Sequence, residues 1–320
     1  MTNESRFGVD SAHGGDDWTP RNTSLRDELG DVWANCGVDS EAGLLKTVLM
    51  HRPGDEVHRV GDPMKDAHWY DLIDLAKAQD QFDSLVELYE SHGVEVLALE
   101  PGDAASPNHF FMRDLFTMTP EGAILGRPAS MVRAGEEVAV ARCLAKNRIP
   151  ILHTVSGASA FEGPDFVFAD PEVAFVATGI RTNAAGADQV TGVLQRLGIR
   201  VVRVQSTYGC GHLDGVLSIV DHRKAVVFPT RVSHVVVDTL RDLGYSIISL
   251  PDVAEGGAGM ATNMVALEPG RVIIPAGCPE TVSMLRDIGV EAISIDLSEL
   301  MKGGGAVHCM TGIVWRKTRD

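Results

Sequence analysis

A cysteine follows a glycine-rich bend near the C-terminal end of the chain. The sequence reads MKGGGAVHCMTGIVW over residues 301–315, so three glycines at 303–305 precede Cys309. Glycines permit a flexible or positive-φ backbone, and a cysteine presented by such a loop could act as a nucleophile if a neighbouring group lowered its pKa or took its proton. The alternative is a small apolar side chain in a turn, because free cysteine is often buried.

A histidine is the first candidate partner for this cysteine. The stretch GCGHLDG places His212 two residues before Asp214, so on an extended segment the two side chains point to the same side. Histidine titrates near neutrality and can transfer a proton, although a lone histidine is more often structural. His308 precedes Cys309 directly, but neighbours on an extended segment point in opposite directions. His212 is therefore the predicted partner.

Acids and arginines supply the rest of a candidate site. Asp114 lies in PNHFFMRDLF, while Glu162 and Asp165 lie among phenylalanines in FEGPDFVF. Carboxylates in apolar surroundings are costly to bury unless cations, ligands or hydrogen-bond donors accompany them. Arg133 and Arg181 follow strand-like runs, where a fixed guanidinium could hold a substrate carboxylate in a forked geometry. Taken singly, Asp114 could be a salt-bridged or capping acid. Glu162 and Asp165 could belong to a turn, and the two arginines could form surface salt bridges.

Together, the candidates suit an amino acid with a planar cationic head group. Carboxylates would hold a guanidinium, a thiolate would attack its central carbon, and the histidine would protonate the departing amine. The 320-residue chain has 28 Lys and Arg against 44 Asp and Glu, a formal charge of -16. This balance argues against nucleic acid or an anionic membrane surface as partner and is compatible with a cationic small molecule.

The cysteine pattern and the N-terminus indicate a cytoplasmic protein. Five cysteines, an odd number, are scattered without CxxC spacing, which argues against a disulfide framework and a zinc ribbon. The first residues contain no basic segment followed by an apolar core, and no run of 18 apolar residues occurs. We therefore expect a soluble protein in a reducing compartment, without a membrane span.

The elements that must position the candidate residues form a repeat. Between strand-like runs, an amphipathic helix ends, usually at Gly or Asn, and a short apolar strand follows. The spacing of roughly 45 to 55 residues indicates repeated αβ units around a common axis, with loops that converge at one end. We expect residues 1–42 to form a mobile or wrapping extension and 43–320 a single domain. The five repeated segments are LYESHGVEVLALE, LAKNRIPILHTV, LQRLGIRVVRVQ, LRDLGYSIISLP and LRDIGVEAISID.

Six motifs occur in order along the chain: KTVLMHRPG, PNHFFMRD, FEGPD, GIRTN, GHLD and GGGAVHCMT. In this order they resemble the guanidine-modifying enzymes of the pentein fold, which include arginine deiminase, dimethylarginine dimethylaminohydrolase and the arginine amidinotransferases. The resemblance extends from about Gly43 to the end of the chain. It implies a five-bladed αβ propeller, in agreement with the fivefold repeat.

The resemblance also implies a role for each candidate residue. Cys309 matches the nucleophile that forms a covalent amidino intermediate, and His212 matches the general acid and base. Glu162 matches the carboxylate that orients this histidine and contacts the guanidinium. The other candidates match substrate-binding positions: Asp114 and Asp214 for the guanidinium nitrogens, Arg181 for the substrate carboxylate, Arg133 as a weaker match for a second such arginine, and Asp165 as a supporting residue behind the site.

Two features depart from the family pattern. Pro164 stands where the family often has glycine, and the helical insertion of the longer arginine deiminases has no counterpart between Pro53 and Asn108. The layout is nearer to that of the compact hydrolases and small amidinotransferases.

The expected activity is metal-free and cofactor-free hydrolysis of the guanidinium group of arginine or a similar small molecule. Amidino transfer to an amine acceptor uses the same intermediate, so the sequence leaves it open. Two further alternatives are a metal amidinohydrolase with His212 and Asp214 among its ligands, and a binding protein for arginine analogues. A homo-oligomer is also compatible with the sequence.

Overall fold

Five small sheets, each crossed by a helix, make up the structure, a computed structural model that describes residues 9–317. The strands are β1 (Leu45–Met50), β2 (Glu95–Ala98), β3 (Phe116–Thr119), β4 (Gly122–Leu125), β5 (Ile151–Thr154), β6 (Phe166–Asp170), β7 (Val173–Thr178), β8 (Arg200–Gln205), β9 (Leu217–Asp221), β10 (Lys224–Val227), β11 (Ser246–Ser249), β12 (Val265–Glu268), β13 (Arg271–Pro275), β14 (Glu291–Ile295) and β15 (Gly312–Arg316). The helices are α1 (Pro63–Ala67), α2 (Leu75–Ser91), α3 (Glu137–Lys146), α4 (Ala184–Arg196), α5 (His234–Asp242), α6 (Val253–Gly257), α7 (Pro279–Asp287) and α8 (Val307–Met310).

Each sheet has three strands in the same arrangement. A first strand pairs antiparallel with a central strand, and the central strand pairs parallel with a third. One long helix separates the parallel pair in sequence, as a parallel connection requires. The sheet orders are β3-β4-β5, β6-β7-β8, β9-β10-β11, β12-β13-β14 and β15-β1-β2. The last sheet contains both ends of the chain, because β15 pairs antiparallel with β1.

Burial distinguishes the strands by their place in a sheet. Central strands such as β13 are almost wholly buried, whereas the third strands β2, β5 and β11 have exposed ends. Each third strand is therefore an outer edge. The first strands lie inside, where β15 contacts β3 and β12 contacts β9. This arrangement confirms the predicted repeat and propeller architecture.

The five predicted helix–strand segments coincide with α2–β2, α3–β5, α4–β8, α5–β11 and α7–β14. In four of them a glycine after the helix adopts a positive φ, as at Gly93. The second segment differs from the prediction in detail. Asn147 ends α3 with a φ of -89°, and Arg148 takes the left-handed conformation with a φ of 54°.

Residues just before β1 lie against the closing sheet. The Gly37 N–H donates to the carbonyl of Val314 at 2.9 Å, and the Arg316 N–H donates to the carbonyl of Gly37 at 3.0 Å. The Val38 N–H donates to Thr119 at 3.1 Å. Cys36 and Val38 are both buried. This segment of the predicted extension therefore packs on two sheets at once.

The first strands fix where the candidate site lies. Every one of them is preceded by a short loop or a turn of helix, and these segments meet on one side of the ring. The turn at 112–115 contacts both the turn at 163–165 and α8. Residues that are up to 195 positions apart in sequence, such as Asp114 and Cys309, are thereby brought to one place.

No helix among residues 9–317 has both the length and the apolar character needed to cross a membrane.

Candidate active site

Cys309 lies on the short helix α8, three residues before β15. The expectation that this segment is extended is wrong, because residues 307–310 form a helical turn. The glycines ahead of it bring the backbone close to neighbouring side chains. Gly304 has a φ of 91°, and a Cβ on Gly305 would lie 2.7 Å from the Cβ of Cys309 and 2.6 Å from the Phe111 ring. The bend therefore requires glycine for close packing as well as for its backbone conformation.

Asn263 holds both the sulfur and the backbone of this turn. Its Nδ2 lies 2.9 Å from the Cys309 Sγ and donates to it. Its Oδ1 accepts from the backbone N–H groups of His308 at 2.8 Å and Cys309 at 3.2 Å. These are the N–H groups that a capping side chain would normally satisfy, and Ala306 at the N-cap has no side chain to do so.

The resting site keeps Cys309 as a thiol. Burial, followed by the nearby carboxylates of Asp214 and Asp114, raises the pKa of Cys309, while the Asn263 hydrogen bond acts in the opposite direction. Negative charge near a thiol disfavours the thiolate. A positive group entering the site would reverse this effect.

His212, which is partly buried, pairs with the fully buried Glu162. The Nε2 of His212 lies 2.7 Å from the Oε2 of Glu162, and Arg181 donates to the same oxygen at 3.0 Å. The other oxygen, Oε1, accepts from the Ala129 N–H at 3.0 Å. The carboxylate is thus held from both sides, and the orientation of the imidazole is fixed by it.

The charges of this pair support each other. Burial alone would lower the pKa of His212, but the charge of Asp114 and the hydrogen bond with Glu162 raise it to about 9. Burial alone would raise the pKa of Glu162, but His212, Arg181 and Arg133 lower it to about 2. At neutral pH the site therefore holds an imidazolium and a carboxylate.

Asp114 and Arg133 form a second buried pair. The Arg133 guanidinium contacts Asp114 and lies 2.8 Å from Oε2 of Glu136. The Oδ1 of Asp114 is buried without a hydrogen-bond donor among the described residues. Buried carboxylate oxygens normally have such donors. The neighbouring Arg113 donates to Thr117 and Phe166, so Arg133 is the arginine that contacts Asp114.

Asp214 contacts His308, the histidine next to Cys309 in sequence. The Nδ1 of His308 lies 2.8 Å from Oδ2 of Asp214, and the Arg113 Nε lies 3.9 Å from the same atom. Burial would raise the pKa of Asp214, but His308, His212 and Arg113 lower it. Asp214 lies in a turn before β9. Its side chain meets His308, and that of His212 meets Glu162.

Asp165 supports the histidine loop from behind. Its Oδ1 accepts from the Leu213 N–H at 3.1 Å, next to His212. The residue is fully buried, and this burial raises the pKa of Asp165 to about 6. The carboxyl therefore fixes the backbone between His212 and Asp214.

Two adjoining cavities, of about 190 and 170 Å³, meet at the candidate nucleophile. Both are lined by Cys309 and His212, with Tyr70 and Gly304 at the shared wall. The other candidate residues on the walls divide between the two: Asp114, Arg133 and Arg181 line the first cavity, and Asp214 and Asn263 line the second. The structure thus places all but two of the eight predicted residues on the cavity walls; Glu162 and Asp165 stand behind them.

Three side chains among the described residues have donor atoms close enough to share a metal ion. These atoms of Asp114, Glu162 and His212 lie within 4.8 Å of one another. Arg133 and Arg181 already contact the two carboxylates, which weakens the attraction for a small divalent ion. A planar guanidinium has five N–H donors and can still bond to the unpartnered Oδ1 of Asp114.

Asn263 and His308 are functional candidates that were not selected from the sequence. The fivefold repeat contains a signal for the former, since Asn263 stands two residues before β12 as Asp114 stands two residues before β3. Aligning the polar residue ahead of each first strand would have identified it. His308 was set aside on the premise of an extended segment, and a four-residue helical turn leaves no periodicity to read.

Comparison with known proteins identifies the family. Residues 64–316 match the family described as N,N dimethylarginine dimethylhydrolase, eukaryotic. The N(G),N(G)-dimethylarginine dimethylaminohydrolase of Streptomyces coelicolor is 27% identical over 83% of this chain and 96% of its own length. The arginine deiminase of Rhodococcus jostii is 25% identical over 87% of this chain and 96% of its own length.

A solved structure supports the fold assignment. The structure of DDAH from Pseudomonas aeruginosa, a mutant complexed with citrulline, aligns with a TM-score of 0.71 at 22% identity, covering 85% of this chain and 100% of that one. The likeness confirms the predicted pentein fold. The family match covers most of the chain and confirms the predicted guanidine-modifying enzyme. This chain therefore belongs to the dimethylarginine dimethylaminohydrolase family, within the guanidine-modifying enzymes.

Proposed function

We propose that the protein hydrolyses a guanidinium C–N bond of arginine or an N-substituted arginine, with Cys309 as nucleophile. The observation that carries this proposal is the convergence of Cys309, His212 and Asp114 on one cavity wall. These residues come from three different sheets, and Glu162 stands directly behind the histidine. A structural role alone does not account for so many charged groups at one buried place.

Binding would begin with the carboxylates. The buried Oδ1 of Asp114 lacks a donor among the described residues, and a guanidinium edge would supply one. Asp214, on the wall of the adjoining cavity, would receive further guanidinium nitrogens. Arg181 is the better placed of the two arginines for a substrate carboxylate, because its side chain is 29% exposed whereas that of Arg133 is 4% exposed.

The substrate's positive charge would then help to ionise the thiol. A guanidinium between Asp114 and Asp214 neutralises the two carboxylates that disfavour the thiolate. The thiol then releases its proton to solvent, because His212 is already protonated and cannot accept it. The Cys309 thiolate adds to the central guanidinium carbon and forms a C–S bond. His212, already protonated, gives its proton to the leaving nitrogen as the C–N bond breaks.

Hydrolysis completes the cycle. The neutral His212 takes a proton from water, and the resulting hydroxide adds to the carbon of the thiouronium intermediate. The C–S bond breaks, the thiolate is restored, and the substrate leaves as a ureido compound. Glu162 keeps the imidazole oriented through both proton transfers.

Product analysis tests this proposal. The Streptomyces relative is named for dimethylarginine and the Rhodococcus relative for arginine, so both substrates are supplied, with and without glycine as an amine acceptor. We expect citrulline and a released amine or ammonia, in amounts that do not depend on glycine. An amine-dependent guanidino product would show amidino transfer instead. Binding without turnover across the panel would favour a binding protein.

We also propose a cytoplasmic location. All five cysteines are free, which fits a reducing compartment. Cell fractionation tests this location, and recovery only from the exported fraction would contradict it. The predicted possibility of a homo-oligomer is tested by sedimentation of the purified protein.

A further inference from the structure

Asn263 completes a fivefold pattern around the cavity. Each of the other four first strands is preceded by a residue already assigned to the proposed reaction. Asn263 stands two residues before β12, whereas the others stand two to four residues before their strands, and it is buried, with 6% of its surface exposed. The assigned residues, in chain order, are Asp114 before β3, Glu162 before β6, Asp214 before β9 and Cys309 before β15.

The contacts of Asn263 fix which way its amide faces. Two backbone N–H groups, of His308 and Cys309, point at one end of the amide. Only the carbonyl oxygen can accept from them, so this end is Oδ1. The N–H end must therefore face the Cys309 Sγ, 2.9 Å away. The positions of the two backbone N–H groups therefore place the Asn263 amide donor at the Cys309 sulfur.

We propose that Asn263 is a catalytic residue of the cysteine chemistry: its amide N–H stabilises the Cys309 thiolate, and its carbonyl oxygen holds the turn that carries the sulfur. This inference rests on the proposed function. A neutral thiol is a weak acceptor and a thiolate a strong one, so the N–H bond strengthens as the sulfur ionises. The interaction therefore favours the reactive form over the resting form.

The two ends of the amide can be separated by substitution. Asn263→Asp keeps an oxygen for the two backbone N–H groups, which also keep the carboxylate ionised. Its second oxygen then faces the sulfur as a negative charge instead of a donor. Asn263→Ser removes both ends of the amide without adding charge, so only the aspartate variant separates them. A role limited to holding the helical turn predicts little effect of the aspartate variant.

The test measures alkylation of Cys309 by iodoacetamide at fixed pH, followed by mass spectrometry of the peptide that contains it. The rate reports the thiolate fraction of that cysteine and requires no guanidino substrate. We expect Asn263→Asp to slow alkylation by about 10- to 100-fold, the range for loss of a hydrogen bond to a charged group. We expect Asn263→Ser to slow it by a smaller factor.

Asn147→Asp is the matched control. The Asn147 amide also contacts a cysteine sulfur, with Nδ2 at 3.5 Å from the Sγ of Cys143, away from the candidate site. This variant should leave the Cys309 rate unchanged. The rates are compared for whichever Asn263 variant retains the wild-type circular dichroism. A wild-type Cys309 alkylation rate in such a variant would overturn the inference, and it would do so whether or not the protein proves to be a hydrolase.

Discussion

Cys309 and His212 both hold their protons in the resting site. The pKa of Cys309 is raised by burial and by two carboxylates, and the pKa of His212 is raised to about 9 by Asp114 and Glu162 against the effect of burial. The site is therefore a thiol beside an imidazolium at neutral pH. Such a site reacts slowly with electrophiles at rest and becomes more nucleophilic when a cationic substrate arrives.

The raised pKa of His212 makes stability depend on pH. Because the folded pKa of about 9 exceeds the ordinary value of 6.5, the stabilisation is fully present below pH 6.5 and is lost as pH rises through 9. Between these limits the wild type should lose about 3 kcal/mol of unfolding free energy relative to His212→Gln. Denaturant unfolding of both proteins at several pH values measures this, and parallel pH curves would contradict it.

Asp114 should bind the substrate guanidinium through charge. Asp114→Asn keeps an oxygen for Arg133 but removes the negative charge next to the cavity. We expect binding of arginine to the Cys309→Ser background to weaken about 10- to 100-fold, measured by titration calorimetry. The control is Asp242→Asn at the exposed end of α5, which should bind as before. Equal affinities of the two variants would refute the role of Asp114.

The residues of the candidate site could be predicted from the sequence, but their contacts with one another could not. The acids, Cys309 and His212 could be selected because buried charges and a glycine-flanked cysteine are chemically conspicuous. The sequence does not show which acid contacts which cation, because these contacts depend on three-dimensional packing. The contact between His308 and Asp214 is an example: it arises only because α8 is helical.

At the scale of elements, the glycine bend allows its backbone to pack closely against Cys309. A methyl group at Gly305 would clash with Cys309 and Phe111. We expect Gly305→Ala to cost about 1–3 kcal/mol of stability and to reduce kcat by at least about tenfold through displacement of the sulfur. Steady-state kinetics and thermal unfolding measure the two effects.

Gly192→Ala is the matched control for this prediction. Gly192 lies within α4, where an added methyl group would come no nearer than 3.8 Å to the Arg196 side chain. Alanine is favoured over glycine in helices by roughly 0.5–1 kcal/mol, so this variant should be as stable as the wild type or more so, with unchanged kcat. A Gly305→Ala enzyme with wild-type kinetics would show that the bend tolerates a side chain.

Helices and strands with long apolar patterns were predictable. Every predicted helix–strand segment is present because each contains enough residues to reveal its period. Short turns at 112–115 and 163–165, by contrast, have too few residues for any pattern. They are formed by packing against neighbouring sheets, and they are the segments that position Asp114 and Glu162.

At the scale of the whole molecule, the ring is closed by both ends of the chain. The sheet β15-β1-β2 joins them, and the segment 36–42 bonds to β15 and to the β3 strand through Gly37 and Val38. Among residues 9–20, most side chains are exposed. The two parts of the predicted extension should therefore differ in their contribution to stability.

Two truncations test this difference. Removing residues 1–42 deletes the buried Cys36, Val38 and Ala42 and the backbone bonds of Gly37 and Val38. It should lower the unfolding free energy by about 3–5 kcal/mol. Removing residues 1–20 should change it by less than about 1 kcal/mol. Thermal unfolding of both truncated proteins provides the comparison. Equal effects would show that 36–42 is dispensable for closure of the ring.

The central claim is that Cys309 forms a covalent bond to the substrate. The most direct measurement is the mass of the protein quenched during turnover of arginine or dimethylarginine, with the modified peptide sequenced. We predict an added mass equal to the substrate minus its departing amine, located on Cys309 and absent from Cys309→Ser. Turnover that survives Cys309→Ser, or an adduct on any other residue, would contradict this claim.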